Sequence, residues 1–239
     1  MNRYQKIKDN KMITFEPSDI KRPALDALAK EIATAVLKYR SRNEDITVFL
    51  RRSGNTLESY NRFYKQWSAQ FNKRKHPADV LEFSALLGKI GTVCADDKDW
   101  KKLRGLIAES LFEPFFDKKH SGSLKGYGVK VLIDGVPVLY RPAVITETDR
   151  NRQSVDAGAW DGEVGEFVEV KFSPNAFQEK DINYLKLLEQ HLEEKEIKHE
   201  IVLATFDDII MTKGELKDKN LIDDSSKFKI IGREDFIQY

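Results

Sequence analysis

The chain is poor in cysteine, since Cys94 is the only one among 239 residues. One cysteine cannot close an internal disulfide, and with only four scattered histidines it does not supply the usual ligands of a structural zinc site. Long apolar runs are also lacking: no stretch of about 18 apolar residues occurs, so we expect no transmembrane helix. The polar, basic segment 1–12 lacks the apolar core of a secretory signal. These absences favour a cytoplasmic chain without a membrane partner.

Charge of one sign does not dominate the whole chain, but it is unevenly distributed. The formal net charge is +1 at pH 7, which alone predicts no nucleic-acid partner. Segment 38–75, however, contains ten basic and three acidic residues, interleaved with aromatic residues. Basic side chains can follow a phosphate backbone, and exposed rings can stack on bases. The aromatic residues have the spacing of a helical core stripe. Arg51 and Arg52, in a predicted loop, therefore remain the candidates for phosphate contacts.

Hydrophobic periodicity divides the chain into two stretches. Residues 1–96 are predicted to be mostly helical and to dock nucleic acid or a partner. Residues 97–239 are predicted to alternate helices and strands, as in an α/β protein with a mixed central sheet flanked by helices. Helices are expected near 18–39, 56–72, 77–89, 100–116, 178–196 and 207–218, and strands near 129–133, 136–144, 200–205 and 227–231, besides a hairpin within 154–174.

The hairpin within 154–174 carries the most specific signal in the chain. The dipeptide Asp161-Gly162 is a strong turn signal between two β-prone segments. Side chains alternate along a strand, so Glu169 and Lys171 on the second segment point to the same face. A carboxylate and an ammonium group are therefore aimed at one place.

A second carboxylate is expected from the first segment of the hairpin. With the turn centred near Glu163, Asp156 is expected opposite Val170. It then lies between Glu169 and Lys171 across the ladder. Neighbouring strands are about 4.8 Å apart, so Asp156 and Glu169 can share one divalent cation. Mg²⁺ prefers oxygen ligands, which makes the Val170 carbonyl a further candidate ligand, while Lys171 can orient or deprotonate an attacking water.

A solvent-facing strand without any catalytic role shows the same pattern. Glu-x-Lys on one face of a half-exposed strand is ordinary, and Asp161 is a turn residue whatever the function. Asp161 is also the alternative metal ligand if the register of the hairpin differs. Asp156 at hairpin distance, together with Glu109 on an apolar helix and the order of the elements, favours the functional interpretation.

The arrangement resembles the PD-(D/E)xK nuclease superfamily, whose core is the restriction-endonuclease-like fold. The resemblance rests on Asp156, followed by Glu169 and Lys171 as the E-x-K triplet, and covers roughly residues 98–205 by the order of elements. The proline that names the motif is replaced here by Val155. The resemblance implies that Asp156 and Glu169 bind the metal and that Lys171 assists catalysis.

Four further site residues are expected around this motif. The resemblance implies an acidic residue on a helix upstream of the core, for which Glu109 is the best candidate, as a metal ligand and catalytic residue. It also implies a polar residue on the helix after the motif, and Lys180 suits a contact with nucleic acid. Arg150 and Arg152, just before Asp156, are candidates to meet a scissile phosphate, although both also fit solvated loop charges.

These observations together predict an Mg²⁺-dependent endonuclease, with Mn²⁺ able to substitute. DNA is favoured as the substrate by the resemblance alone, in restriction, antiphage defence or repair. A ribonuclease is one alternative, and a non-catalytic nuclease-fold subunit for nucleic-acid binding or assembly is another. A homodimer suits double-strand cleavage, and an activating protein partner suits a nuclease that must be held silent.

Overall fold

The computed structural model describes residues 12–18, 22–38, 49–50, 52–71 and 78–237, without the side chains of residues 70, 71, 78, 79, 236 and 237. The contacts divide these residues into two compact units. A sheet unit contains the described parts of 1–20 and 115–239, and a helical unit contains those of 21–114. These bounds differ from the division at residue 96 that the sequence analysis drew.

The described residues of the sheet unit include a mixed seven-stranded sheet, which confirms the α/β fold class. The strands are β1 (Ile13–Pro17), β2 (Leu124–Ile133), β3 (Val136–Pro137), β4 (Val155–Trp160), β5 (Val164–Lys171), β6 (Lys198–Thr205) and β7 (Lys229–Ile231). Their order is β1-β2-β4-β5-β6-β7, with β3 paired to β2. Pairing is antiparallel from β1 to β5 and parallel from β5 to β7.

Strand β1 belongs to a region that the sequence analysis predicted to be mostly helical. Its five residues are too few for a clear alternation, and their strand conformation depends on pairing with β2 more than a hundred residues later. Ile13 pairs with Ile133, and Pro17 pairs with Val129. Local sequence therefore could not predict this strand, because its partner is distant along the chain.

The predicted strand 136–144 is much shorter in the structure, where β3 covers only Val136–Pro137. Pro137 has no N–H group to donate to a sheet ladder, and past it the Val138 N–H still donates to the Val131 carbonyl of β2 at 3.0 Å. The residues that follow form a long connection to β4. Tyr140 and Arg152 close this connection with two backbone hydrogen bonds, of 2.8 and 3.1 Å.

The described helices are α1 (Pro23–Lys38), α2 (Leu57–Phe71), α3 (Ala78–Val93), α4 (Asp97–Lys119), α5 (Glu179–Glu194), α6 (Ile209–Asp218) and α7 (Arg233–Ile237). In the helical unit, Tyr60 of the predicted aromatic stripe on α2 lies in the core, whereas Phe63, Tyr64 and Trp67 are half-buried. Tyr60 is fully buried, its hydroxyl donates to the Leu87 carbonyl, and its ring lies 4.5 Å from that of Trp100. Among the described residues no helix is long and apolar enough to cross a membrane.

Helix α5 connects the parallel strands β5 and β6 and contributes much of the sheet unit's core. Its buried leucines Leu185, Leu188 and Leu192 belong to the same cluster as Phe167 of β5 and Leu203 of β6. Each such side chain contributes about 1.5–3 kcal/mol when it is removed from water. This layer holds the start of α5 beside the carboxyl end of β5, where the charged residues of the hairpin lie.

A carboxylate, lysine and arginine cluster

The register of the β4–β5 hairpin brings the two predicted carboxylates directly opposite each other. Ala157 lies opposite Val168. Continuing that register by one residue places Asp156 opposite Glu169, so the expected pairing of Asp156 with Val170 was wrong by one position. Side chains at opposite positions of an antiparallel pair share a face. Asp156 and Glu169 therefore lie closer together than in the predicted register.

The turn explains this one-residue difference. Asp161 accepts hydrogen bonds from the backbone N–H groups of Glu163 at 2.8 Å and Val164 at 2.7 Å. Gly162 has a φ of +100°, which an L side chain rarely adopts. The centre of the turn therefore lies between Gly162 and Glu163 rather than on Glu163. Asp161 is held at the far end of β4 from Asp156, by turn contacts.

Glu169 is the buried centre of the cluster. It is fully buried, and its two oxygens are held by different cations: Oε2 accepts from Arg152 and Oε1 accepts from Lys171. The pKa of Glu169 is raised to about 7: burial is the largest cause and Asp156 and Asp181 act in the same direction, whereas Arg152 and Lys171 act to lower it. A charge at such a depth is tolerated only when it is paired. Arg152 and Lys171 therefore compensate the buried negative charge of Glu169.

Lys171 links the two carboxylates of the hairpin. Its Nζ atom pairs with Glu169 and lies 3.5 Å from Oδ2 of Asp156. Burial alone would lower the pKa of Lys171, but the neighbouring carboxylates raise it above its ordinary value. Lys171 is therefore an ammonium donor in this arrangement and not a neutral base.

Asp156 lies nearer to solvent than Glu169, with 14% of its side chain exposed. Its Oδ2 atom accepts a hydrogen bond from the Val170 N–H group at 2.8 Å. Its Oδ1 atom lies 3.8 Å from a guanidinium nitrogen of Arg152. The backbone of β5 thus orients the Asp156 carboxylate toward Lys171 and Arg152. Val170, predicted as a metal ligand through its carbonyl, contacts this carboxylate through its N–H group.

Asp181 is a member of the cluster that the sequence analysis missed. It is the third residue of α5, is almost fully buried, and pairs through Oδ1 with Arg152. Its Oδ2 atom accepts the Gln178 N–H group at 3.0 Å, which caps the helix. The pattern of Gln178 and Asp181 at the helix start indicates a capping box. That signal predicts the cap but not the contact with Arg152.

Arg152 lies within the cluster, where the sequence analysis expected a phosphate contact or a solvated charge. Its guanidinium group pairs with Glu169 and Asp181, and Nε donates to the Ser154 carbonyl at 3.1 Å. Burial would lower the pKa of Arg152, but Glu169, Asp181 and Asp156 raise it above its ordinary value. The structure thus brings together Asp156, Glu169, Lys171 and Arg152.

Lys180 and Arg152 also line an open groove of about 460 Å³ beside the cluster. The other described lining residues are Leu139, Tyr140, Arg141, Asn151, Gln153 and Ser154. Arg150 is exposed on the neighbouring loop, and its Nε donates to the Thr146 carbonyl at 3.3 Å. The groove therefore carries three basic side chains, and none of its described lining residues is acidic.

Three predicted site residues, Glu109, Arg52 and Arg51, are not among the residues that the structure describes in the sheet unit. Glu109 is half-buried on α4, within the helical unit, and its assignment as a metal ligand stays a prediction. Arg52 is exposed in the helical unit, and Arg51 lies outside the described residues. Among the residues that the structure describes, no group of three or more His, Cys, Asp or Glu side chains could hold a metal ion.

Comparison with known proteins adds no family assignment. No protein-family model matches the chain, and no curated protein sequence matches it. The chemistry of the cluster and its neighbouring groove therefore carries the functional argument.

Proposed function

We propose that the chain is a metal-dependent nuclease that hydrolyses phosphodiester bonds. The observation that carries this proposal is the meeting of Asp156, Glu169 and Lys171 at one end of the β4–β5 hairpin. Two carboxylates lie at opposed positions, and one ammonium group reaches both of them. This combination of oxygen ligands and a positive donor suits metal-assisted hydrolysis of a phosphodiester.

The opposed carboxylates fit a hard divalent cation by their chemistry. Asp156 and Glu169 would hold Mg²⁺ or Mn²⁺, with the Val170 carbonyl as a further proposed ligand. When bound, such an ion supplies an acidified water and stabilises negative charge on the phosphate. Because Glu169 contacts Arg152 and Lys171, the ion must compete with these cations for its oxygens.

Lys171 has a separate part in the proposed reaction. Since the carboxylates keep it protonated, it donates a hydrogen bond to the attacking water or to a non-bridging phosphate oxygen. This is the orienting one of the two roles that the sequence left open to Lys171. Asp156, which is more exposed than Glu169, is the carboxylate nearer to an entering substrate.

The groove beside the cluster supports nucleic acid as the substrate. Arg141 and Lys180 provide positive charge along it, and Asn151 and Gln153 provide amide groups that can donate to phosphate oxygens. Such a lining suits the backbone of a strand and carries no sequence preference by itself. DNA as the substrate, and a role in defence or repair, are proposed from the resemblance only.

The direct test is cleavage of plasmid, single-stranded DNA and RNA with Mg²⁺, Mn²⁺ or a chelator. We expect the native chain to cleave in a metal-dependent way. Replacing Lys171→Ala or Asp156→Asn should lower the rate about 100-fold or more, the loss expected when one transition-state contact is removed. Lys186→Ala, an exposed lysine on α5, is the matched control and should cleave like the native chain.

Two outcomes contradict this proposal in different ways. If both site variants cleave as fast as the native chain, the site is wrong. If the folded native chain binds nucleic acid but cleaves none of the substrates with either metal, a non-catalytic binding subunit replaces the nuclease.

A further inference from the structure

The cluster contains a cation, Arg152, for which the proposed reaction has no use. We propose that Arg152 is a positioning residue that competes with a divalent cation for Oε2 of Glu169, so that metal loading exchanges a guanidinium contact for a metal contact. This inference rests on the proposed function, because it assumes that Glu169 is a metal ligand. It adds a built-in control of metal affinity to that site.

The contacts of Arg152 place its guanidinium group among three carboxylates. One terminal nitrogen pairs with Glu169, and the same nitrogen lies 3.8 Å from Asp156. The other terminal nitrogen pairs with Asp181. An Arg–carboxylate pair uses the oxygen lone pairs that a metal ion also needs. Arg152 and a metal ion therefore cannot both use Oε2 of Glu169 in this geometry.

The backbone and Nε contacts keep Arg152 in this position. Its backbone pairs with Tyr140 through two hydrogen bonds, and its Nε atom donates to the Ser154 carbonyl. Only 15% of its side chain is exposed. Solvent therefore screens the contact weakly, and the competing charge is held close to Glu169.

The charges of the cluster predict the direction of the effect. Counted with every group ionised, three carboxylates (Asp156, Glu169 and Asp181) face two cations (Arg152 and Lys171), which leaves a formal charge of one negative unit. Removing the charge of Arg152 makes the cluster more negative and removes the competitor for Oε2. A unit charge within about 4 Å of a buried group acts strongly at a low effective dielectric. Affinity for a divalent cation should therefore rise when Arg152 is neutralised.

Asp181 should have the opposite effect. It provides a second partner for Arg152, so that the guanidinium group keeps a counter-ion after Glu169 turns to the metal. If Asp181 is neutralised, Arg152 depends more on Glu169, and the cluster as a whole loses negative charge. A divalent cation should then bind more weakly. A purely structural role of the pair would instead change metal affinity in the same direction in both variants.

The experiment is a titration of the full chain with Mn²⁺, read by electron paramagnetic resonance and by calorimetry. It compares the native chain with Arg152→Gln, Arg152→Lys and Asp181→Asn. Arg62→Gln, an exposed arginine on α2, is the control for the chemical change itself. Thermal unfolding with Mn²⁺ and with chelator is recorded in parallel.

We expect Arg152→Gln to lower the Kd for Mn²⁺ about tenfold or more, because a nearby positive charge is lost. Its melting temperature with chelator should fall, and the rise on adding Mn²⁺ should exceed that of the native chain. Arg152→Lys should lie close to the native chain, Asp181→Asn should raise the Kd, and Arg62→Gln should leave it unchanged.

An unchanged or raised Kd in folded Arg152→Gln overturns the proposal, and so does the absence of Mn²⁺ binding in every variant. If Arg152→Gln does not fold, Asp181→Asn decides the question, since a Kd at or below the native value also overturns it. The nuclease proposal is judged separately by cleavage. If the variants change Mn²⁺ affinity as expected but the native chain cleaves no substrate, the competition between Arg152 and the metal is supported and the nuclease proposal is wrong.

Discussion

Glu166 and Glu169 are both buried on β5, three residues apart, but different side chains surround them. Glu169 and Glu166 point to opposite faces of the sheet because side chains alternate. Glu169 contacts Arg152 and Lys171 within the candidate site. Glu166 contacts Lys119 and lies 3.4 Å from His120. Each carboxylate is buried beside a different set of side chains, and only Glu169 belongs to the proposed site.

The Glu166 cluster predicts a pH-dependent contribution to stability. Burial would raise the pKa of Glu166, but His120 and Lys119 hold it below its ordinary value. A carboxyl group with a lowered pKa stabilises the fold above its unfolded-state pKa of about 4.3, and this contribution is lost as pH falls through the folded-state pKa. Glu166→Gln should therefore lower the free energy of unfolding by about 2 kcal/mol at neutral pH.

The measurement is urea unfolding of the native chain and Glu166→Gln at neutral pH and at a pH below 4. We expect the difference between them to shrink at the acidic pH. Glu163→Gln, an exposed position in the same hairpin, should change stability little at either pH. A difference for Glu166→Gln that is equal at both pH values would contradict the assigned pKa shift.

At the scale of elements, local signals fail where burial or distant pairing outweighs them. The sequence analysis predicted that the fourth helix ends near residue 116, yet α4 continues through Pro114 to Lys119. A proline removes one hydrogen bond from a helix interior and strains the preceding turn. Phe112 and Phe116, on either side of it, are almost fully buried. Their burial offsets the strain, at about 1.5–3 kcal/mol for each side chain.

Strand β1 provides a test of distant pairing. Ile13 is 1% exposed in the core cluster of the sheet unit, and the ring of Phe15 lies 6.4 Å from that of Phe167. Ile13→Ala should lower the free energy of unfolding by about 2–4 kcal/mol, because it leaves a cavity. Glu16→Ala, exposed on the same strand, should change it by less than about 0.5 kcal/mol. Urea unfolding measures both, and equal effects would contradict the packing of β1 in the core.

At the scale of the whole molecule, the formal net charge of +1 makes the location of charge more important than its total. Several of the basic residues of segment 38–75 lie outside the described residues. Tyr60, one of the aromatic residues interleaved with them, is buried in the core and so cannot stack on a base. In the sheet unit, Arg141 and Lys180 line the groove beside the cluster. If the proposed function is right, we expect the groove to make the first contacts with a phosphate backbone.

The dependence of binding on salt tests this assignment. Each phosphate contact adds about 0.7 to 0.9 to the slope of log affinity against log salt concentration. The experiment uses the Lys171→Ala chain, which prevents cleavage. In that background, Arg141→Gln together with Lys180→Gln should lower the slope by about 1.4 to 1.8. Fluorescence anisotropy with a labelled strand measures the slope. Lys213 and Lys217 are exposed on α6 and serve as the control. If Lys213→Gln with Lys217→Gln lowers the slope by the same amount, the groove is not the binding surface.

The hairpin illustrates how much of the site could be predicted. Strand alternation placed Glu169 and Lys171 on one face, and the turn signal at Asp161 brought Asp156 near them. The register was wrong by one position, because it depends on the turn conformation at Gly162. Asp181 was missed because its contact with Arg152 joins residues 29 apart in sequence.

The sequence by itself determined the α/β class, the hairpin and the chemistry of its three charged residues, since these depend on local periodicity and turn residues. Only the tertiary structure decided what neutralises Glu169. Docking the start of α5 beside β5 brings Asp181 to Arg152, and the long connection before β4 carries Arg152 to Glu169. Burial then requires these charges to pair, and no local pattern encodes which partners are available.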